Sequence, residues 1–166
     1  MTTTTIEELK SESFGLVANW LSRPEINCWL TTEWRDREVN STTVAMAVRN
    51  KRNRLFLVRH VSEPCGLVAL ADFDPGDRTA MVWYFLGVSA LSRRGITSAA
   101  VQQLSGIAFA ELGLAVLYAW IMEGNVASRL VLEKSGFRIC GRIRDAASYG
   151  GKQVNRIYFD LTPSDL

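Results

Sequence analysis

Apolar positions recur along this chain with two different periods. Phe14, Leu16, Val17, Trp20 and Leu21 fall at the three-to-four spacing of one helical face, and Pro24 marks the end of that helix or a new turn. A second helical stretch, from about Thr42 to Asn50, carries Val44, Ala45 and Val48. The two helices are expected to form a cover. A sheet begins with two β-rich runs, Leu55 to Val61 and Cys65 to Phe73, separated by the polar link Ser62, Glu63, Pro64. Asp74, Pro75, Gly76 and Asp77 form a turn signal before a third run, Thr79 to Val88. Three strands joined by short turns predict an antiparallel meander.

From Gly95 the period becomes helical, with Val101, Leu104, Ala108 and Leu112 on one stripe and Gly113 as the stop. Ala115 to Met122 reads as a strand, and Asn125 to Ser135 as a helix broken by Gly136. This is the pattern of a crossover unit with a parallel strand pair. Phe137 to Ile143 and Val154 to Leu161 then predict an antiparallel pair, joined by a polar loop from Ala147 to Lys152 that contains Gly150 and Gly151. With no internal repeat, linker or low-complexity tract, residues 1–166 are expected to form one α/β domain with a mixed, mostly antiparallel sheet and helices on both faces.

Composition narrows the function classes. The chain has 166 residues, 48% of them hydrophobic, enough for one sizeable core without staples. Nineteen Lys and Arg against 17 Asp and Glu give a formal charge of +2, and the one clear basic cluster is Lys51, Arg52 and Arg54. This balance lacks the concentrated basic face of a duplex binder, so no nucleic-acid partner is expected. Cys28, Cys65 and Cys140 are isolated and His60 is the single histidine, which argues against a disulfide framework or a metal site. The start has no basic segment followed by a long apolar run, and no later stretch suits a membrane span. A cytoplasmic monomer or homodimer is expected, with no membrane partner.

Two junctions concentrate the candidate chemistry. The first, Val88 to Ser98, joins a strand to the long helix. Free amides at a helical first turn favour phosphate, Gly95 permits close backbone approach, and Arg93 and Arg94 add charge. Neither the P-loop nor the dinucleotide glycine spacing is present. The second junction, Trp120 to Ser128, places Gly124 at a sharp turn; Asn125 can either cap the next helix or offer its amide to a ligand.

Three segments, Ser92-Arg-Arg-Gly-Ile-Thr97, Glu123-Gly-Asn-Val-Ala-Ser128 and Leu132-Glu-Lys-Ser-Gly-Phe137, occur in the order and spacing of the GNAT superfamily of acyl-CoA-dependent N-acyltransferases. The chain resembles its Rim-type branch, which includes acetyltransferases of ribosomal protein N-termini. Further likeness lies in Trp20 to Glu25, Pro64 to Val68 and Gly150 to Tyr158, so it extends from about residue 14 to 161. The resemblance implies a sheet splayed between strands four and five, with the pantetheine arm of acetyl-CoA in the gap. It also implies a pyrophosphate on the amides of Arg93, Arg94, Gly95, Ile96, Thr97 and Ser98, and a thioester near Leu86, Gly87 and Val88. Asn125 and Arg129 are the cofactor contacts it implies at the second junction. Ser92 and Thr97 depart from the Gln or Arg and the Gly or Ala usual at their places.

The implied reaction is direct attack of a primary amine, from a protein N-terminus or a small molecule, on acetyl-CoA in a ternary complex. No metal is needed. The Val88 amide is expected to hold the oxyanion. Many relatives protonate the departing thiolate with a tyrosine at the position of Leu132, which leucine cannot do; Ser128, in the NxxS segment, is the candidate donor here, although an ordinary first-turn serine is the blander reading. Glu123 is the favoured general base, ahead of His60, while Glu33 and Asp36 border the acceptor side. Trp29, Trp34 and Tyr84 are expected to line the acceptor pocket. A non-catalytic acyl-CoA sensor or subunit on the same fold is the alternative.

Overall fold

The computed structural model describes residues 3–166. Its frame is a seven-stranded sheet in the order β1-β2-β3-β4-β5-β7-β6, made by β1 (Thr4–Glu8), β2 (Arg54–His60), β3 (Glu63–Asp74), β4 (Thr79–Leu86), β5 (Val116–Met122), β6 (Arg138–Tyr149) and β7 (Lys152–Leu161). Every neighbouring pair is antiparallel except β4 and β5. Those two strands are joined through α5 (Ile96–Ala110), the crossover read from the sequence. Their pairing covers only Thr79 with Val116, Ala80 with Leu117 and Met81 with Tyr118. Beyond Met81, β4 stays with β3 as far as Leu86, and beyond Tyr118, β5 stays with β7 as far as Met122. The sheet therefore opens into a wedge.

Each face of the sheet carries its own apolar core. On one, Ile96, Ala100, Val101, Leu104 and Ala108 repeat at three- and four-residue steps along α5 and bury against Val68, Leu70, Val82, Leu117 and Phe159. The other face is covered by α1 (Phe14–Leu21) and α4 (Ser41–Arg49), whose Val17, Trp20, Leu21 and Val44 pack on Leu55, Leu57, Leu67 and Phe85. A fully buried leucine of this kind contributes about 1.5–3 kcal/mol relative to an exposed one. Between α1 and α4 lie two short turns of helix, α2 (Pro24–Asn27) and α3 (Thr32–Arg35), and α6 (Val126–Lys134) follows β5.

The structure corrects several boundaries. Thr4–Glu8 forms a strand: β1 pairs with β2 from Thr4 with His60 to Glu8 with Phe56. The polar stretch from Ala147 to Lys152 is mostly strand as well, because β6 and β7 pair up to Tyr149 with Lys152 and leave only Gly150 and Gly151, both at positive φ, as the turn. The third β run ends at Leu86. There the chain turns away, held by the Gly87 and Val88 amides, which both donate to the Cys65 carbonyl at 2.7 and 3.2 Å.

Gly87 also explains how the cover meets the sheet. A Cβ at this position would lie 2.3–2.8 Å from ring atoms of Trp20, and Arg23 donates to the Gly87 carbonyl at 3.1 Å. Replacing Gly87 with Ala should destabilise the protein by about 1–3 kcal/mol in a urea titration, since the rigid indole must move. Gly106, inside α5, is the contrast: a methyl added there would meet nothing within 4 Å. Gly106→Ala should be stabilising by about 0.5–1 kcal/mol in the same measurement.

Candidate active site

The wedge leads into a cavity of about 1040 Å³ lined by segments from both faces of the sheet. Its walls come from β4 (Met81 to Leu86), β5 (Ala119 to Ile121), the loop into α5, the start of α6, and the segment from Glu25 to Trp34. The peptide groups along it follow from strand register. Gly87 N–H bonds to Cys65, and the β3–β4 register is continuous from Gly66 with Leu86 to Ala71 with Met81. Antiparallel alternation then points the peptide groups of Tyr84 and Leu86 away from β3, into the opening. Leu86 lines the cavity, whereas Gly87 and Val88 do not. The Val88 amide expected to hold an oxyanion is already bonded to Cys65, so the free amides of this strand lie at Leu86 and Tyr84.

At one mouth stands the N-terminus of α5. Gly95 caps it in the left-handed conformation at φ 74°, with no side chain closing the first turn, and Arg93 is left-handed too at φ 63°. The first helical bond runs from Ala99 N–H to Gly95 O at 3.0 Å, which leaves the amides of Ile96, Thr97 and Ser98 without helical partners. The first turn holds no acidic residue. Arg93, Arg94 and Lys134 line this mouth, and neither arginine forms an ion pair among the described residues. Free amides, a helix dipole and three cations fit a diphosphate. Arg129 is turned elsewhere: its Nε bonds Glu133 Oε1 at 2.7 Å on the outer face of α6.

Where β4 faces α6, two hydroxyls meet. Tyr84 Oη lies 2.8 Å from Ser128 Oγ and 3.0 Å from the Ser128 carbonyl oxygen. Asn125 caps α6, its Oδ1 accepting from Ser128 N–H at 3.2 Å, and all three residues line the cavity. Burial pushes the Tyr84 phenol well above its ordinary value, and the Ser128 bond only partly offsets this. Leu132, one turn further, is fully buried in the core.

The opposite mouth is aromatic and acidic. Trp34 is buried against Trp83 with ring centroids 5.3 Å apart, while Trp29 stacks on Tyr149 from the β6–β7 hairpin at 4.4 Å. Arg35 fixes that hairpin by donating to the Ser148 carbonyl at 2.7 Å. Glu25 and Glu33 line this mouth and have no ion-pair partner among the described residues; Asp72 is held 4.0 Å from Arg52. Sequence reasoning missed Tyr149 and Arg35, because a stack between chain segments over a hundred residues apart leaves no local pattern.

Glu123 lies outside the cavity lining. Its exposed carboxylate is held by the Asn155 amide and by Arg142, at 3.3 Å from Nε. These contacts, Asn155 foremost, keep it below the usual glutamate range, which suits a fixed anion better than a proton acceptor. His60 sits far away beside Thr3 and Thr4. No three His, Cys, Asp or Glu side chains are grouped to hold a metal among the described residues, and no helix among them is long and apolar enough to cross a membrane.

Residues 4–138 match the family model of the acetyltransferase (GNAT) domain. A curated protein of Bacillus subtilis (strain 168), "Putative ribosomal N-acetyltransferase YdaF", is 32% identical over 97 residues, 58% of this chain and 52% of its own. The match thus spans about half the length of that relative. Spermidine N-acetyltransferase from Vibrio cholerae, solved in complex with CoA and spermine, superposes with a TM-score of 0.84 at 14% identity over 99% of this chain and 98% of its own. RimJ of Mycobacterium smegmatis, in complex with CoA-disulfide, gives 0.82 at 19% identity over 98% and 83%. At these identities the two structures establish the fold.

The Glu123 contacts have a pH signature. A carboxylate whose folded value is lowered adds stability above its unfolded value and loses it as pH falls through the folded one. Carboxyl NMR should show Glu123 titrating below an ordinary glutamate, and Asn155→Ala should move the midpoint upward.

Proposed function

We propose, since the chain belongs to the GNAT acetyltransferase family, that it is an acetyl-CoA-dependent N-acetyltransferase acting on primary amines. The observation that carries this reading is the wedge, whose edge of free β4 peptide groups runs directly to the uncapped, cation-flanked start of α5. Bound acetyl-CoA supplies the acetyl group as a thioester. Toward it, the amides of Ile96 to Ser98 with Arg93 and Arg94 hold the diphosphate, and the Leu86 peptide N–H meets the carbonyl oxygen as negative charge grows on it. Ser128 donates to the departing sulfur. Val126 and Leu130 add an apolar border on α6.

The acceptor enters from the other mouth. Glu25 and Glu33 draw in a cationic amine, Trp34 and Trp83 form an apolar floor, and the Trp29–Tyr149 stack narrows the approach. Glu33, which lines this mouth, replaces Glu123 as the acid best placed to receive the amine's proton, directly or through water. Small cationic amines and protein N-termini both suit this mouth; the Rim-type likeness, with the Bacillus ribosomal N-acetyltransferase relative, favours the latter, and the spermidine enzyme's shared fold the former. We assign the activity to a single domain over residues 1–166 in the cytoplasm, where the three free cysteines stay reduced.

The test follows thiol release from acetyl-CoA over a panel of cationic diamines, neutral amino sugars and peptides with free N-termini. Turnover should favour acceptors with more than one positive charge. Glu25→Gln should raise KM for those acceptors roughly threefold at low salt, and less at high salt, while Glu33→Gln should lower kcat as well. Tight acetyl-CoA binding with no thiol release across the panel would instead make this a non-catalytic acyl-CoA binder.

A further inference from the structure

We propose that Tyr84 is the positioning residue for the thiolate's proton: its hydroxyl, on β4, orients Ser128 across the wedge and replenishes the proton that Ser128 gives up. This rests on the acetyltransferase reading and reassigns Tyr84, which sequence analysis placed among the acceptor contacts. A lone serine is a weak proton donor, because the alkoxide it leaves is strongly basic. Here the serine is not alone. Tyr84 Oη lies within hydrogen-bond distance of two acceptors on one residue, Ser128 O at 3.0 Å and Ser128 Oγ at 2.8 Å.

The two contacts define two states that interconvert without moving a heavy atom. At rest, the tyrosine proton points at the Ser128 carbonyl, and the serine proton satisfies Tyr84 Oη. When charge develops on sulfur, Ser128 Oγ–H turns toward it, and Tyr84 Oη–H rotates from the carbonyl to Oγ. The backbone of Ser128 stays fixed meanwhile, because Asn125 Oδ1 holds its N–H at 3.2 Å.

The proton count closes. The C–S bond breaks and its electron pair remains on sulfur; the Ser128 proton goes to sulfur; the Tyr84 proton replaces it on Oγ. The tyrosine oxygen recovers the proton that the amine nitrogen loses on becoming an amide, carried by solvent in the cavity. One proton has moved from nitrogen to sulfur, and both hydroxyls are restored.

Tyr84→Phe keeps the ring and removes only the hydroxyl. It should lower kcat roughly 100-fold or more while KM and Kd for acetyl-CoA stay within about twofold. Ser128→Ala should lower kcat comparably, and the double variant should fall no further than the worse single one. A proton inventory in mixed light and heavy water should be curved for the native enzyme, with two protons in flight, and linear for both single variants. Three results would overturn the inference: kcat of Tyr84→Phe within about threefold of native, a loss matched by weaker acetyl-CoA binding, or additive single effects. A native protein that neither binds acetyl-CoA nor releases thiol would sink the acetyltransferase reading itself, whereas native turnover unaffected by Tyr84→Phe would sink only this one.

Discussion

The site depends on one constraint: β4 and β5 each belong to a different half of the sheet. β4 is tied to β3 along almost its whole length, β5 is tied to β7 from Leu117 to Met122, and only three residue pairs join them to one another. Each half can follow its own twist, so the strands part after Met81. Parting leaves peptide groups on β4 with no strand to pair with, and a buried, unpaired peptide group is costly enough that native proteins nearly always give it a partner. The wedge is thus complementary to an extended chain that bears its own amide donors and acceptors. Such a chain would complete the ladder that β5 abandons.

Charge then gives the passage a direction. Arg93, Arg94 and Lys134 line the cavity near α5, and Glu25 and Glu33 line it near α2 and α3. Such a separation favours an anion at the α5 end and a cation at the α2–α3 end, without any moving part. The formal charge of the chain, +2, conceals this entirely. What matters is the separation of charges of opposite sign along the cavity, a property of topology.

That distinction decides what was legible from the residues. The meander, the crossover and the two junctions were readable because each has a local signature: alternation, helical spacing, or a glycine where the chain turns. The strand Thr4–Glu8 was not, since Ile6 is its one apolar side chain and gives no alternation to read; the ladder with β2 reveals it. The same holds for the far end of the β6–β7 hairpin, whose polar residues resemble a loop until their ladder is seen. Motif position placed Ser128 and the Arg93–Ser98 loop at the cavity. It also pointed to Val88, Glu123 and Arg129, whose polar groups are engaged by Cys65, by Asn155 with Arg142, and by Glu133. Position along a chain says where a residue sits, but only the fold says whether its hydrogen-bonding capacity is already spent.

The proton donor shows how the core constrains the chemistry. Leu132 occupies the place where the resemblance sets a tyrosine, and it is fully buried between α5 and the sheet. A hydroxyl pointed into that apolar core would lack a partner and cost stability, so a leucine there improves packing while removing a donor. The remaining hydroxyls sit one turn earlier on α6 and across the wedge on β4, and their 2.8 Å contact spans the two halves of the sheet. In the proposed relay, proton delivery is tied to the width of the wedge. A ligand that pushed β4 and α6 apart would lengthen the contact and isolate the serine, while one of the right thickness would leave it intact. On that proposal the geometry that admits a carrier also sets the readiness of its leaving group, and the two cannot be varied independently without moving one strand against the other.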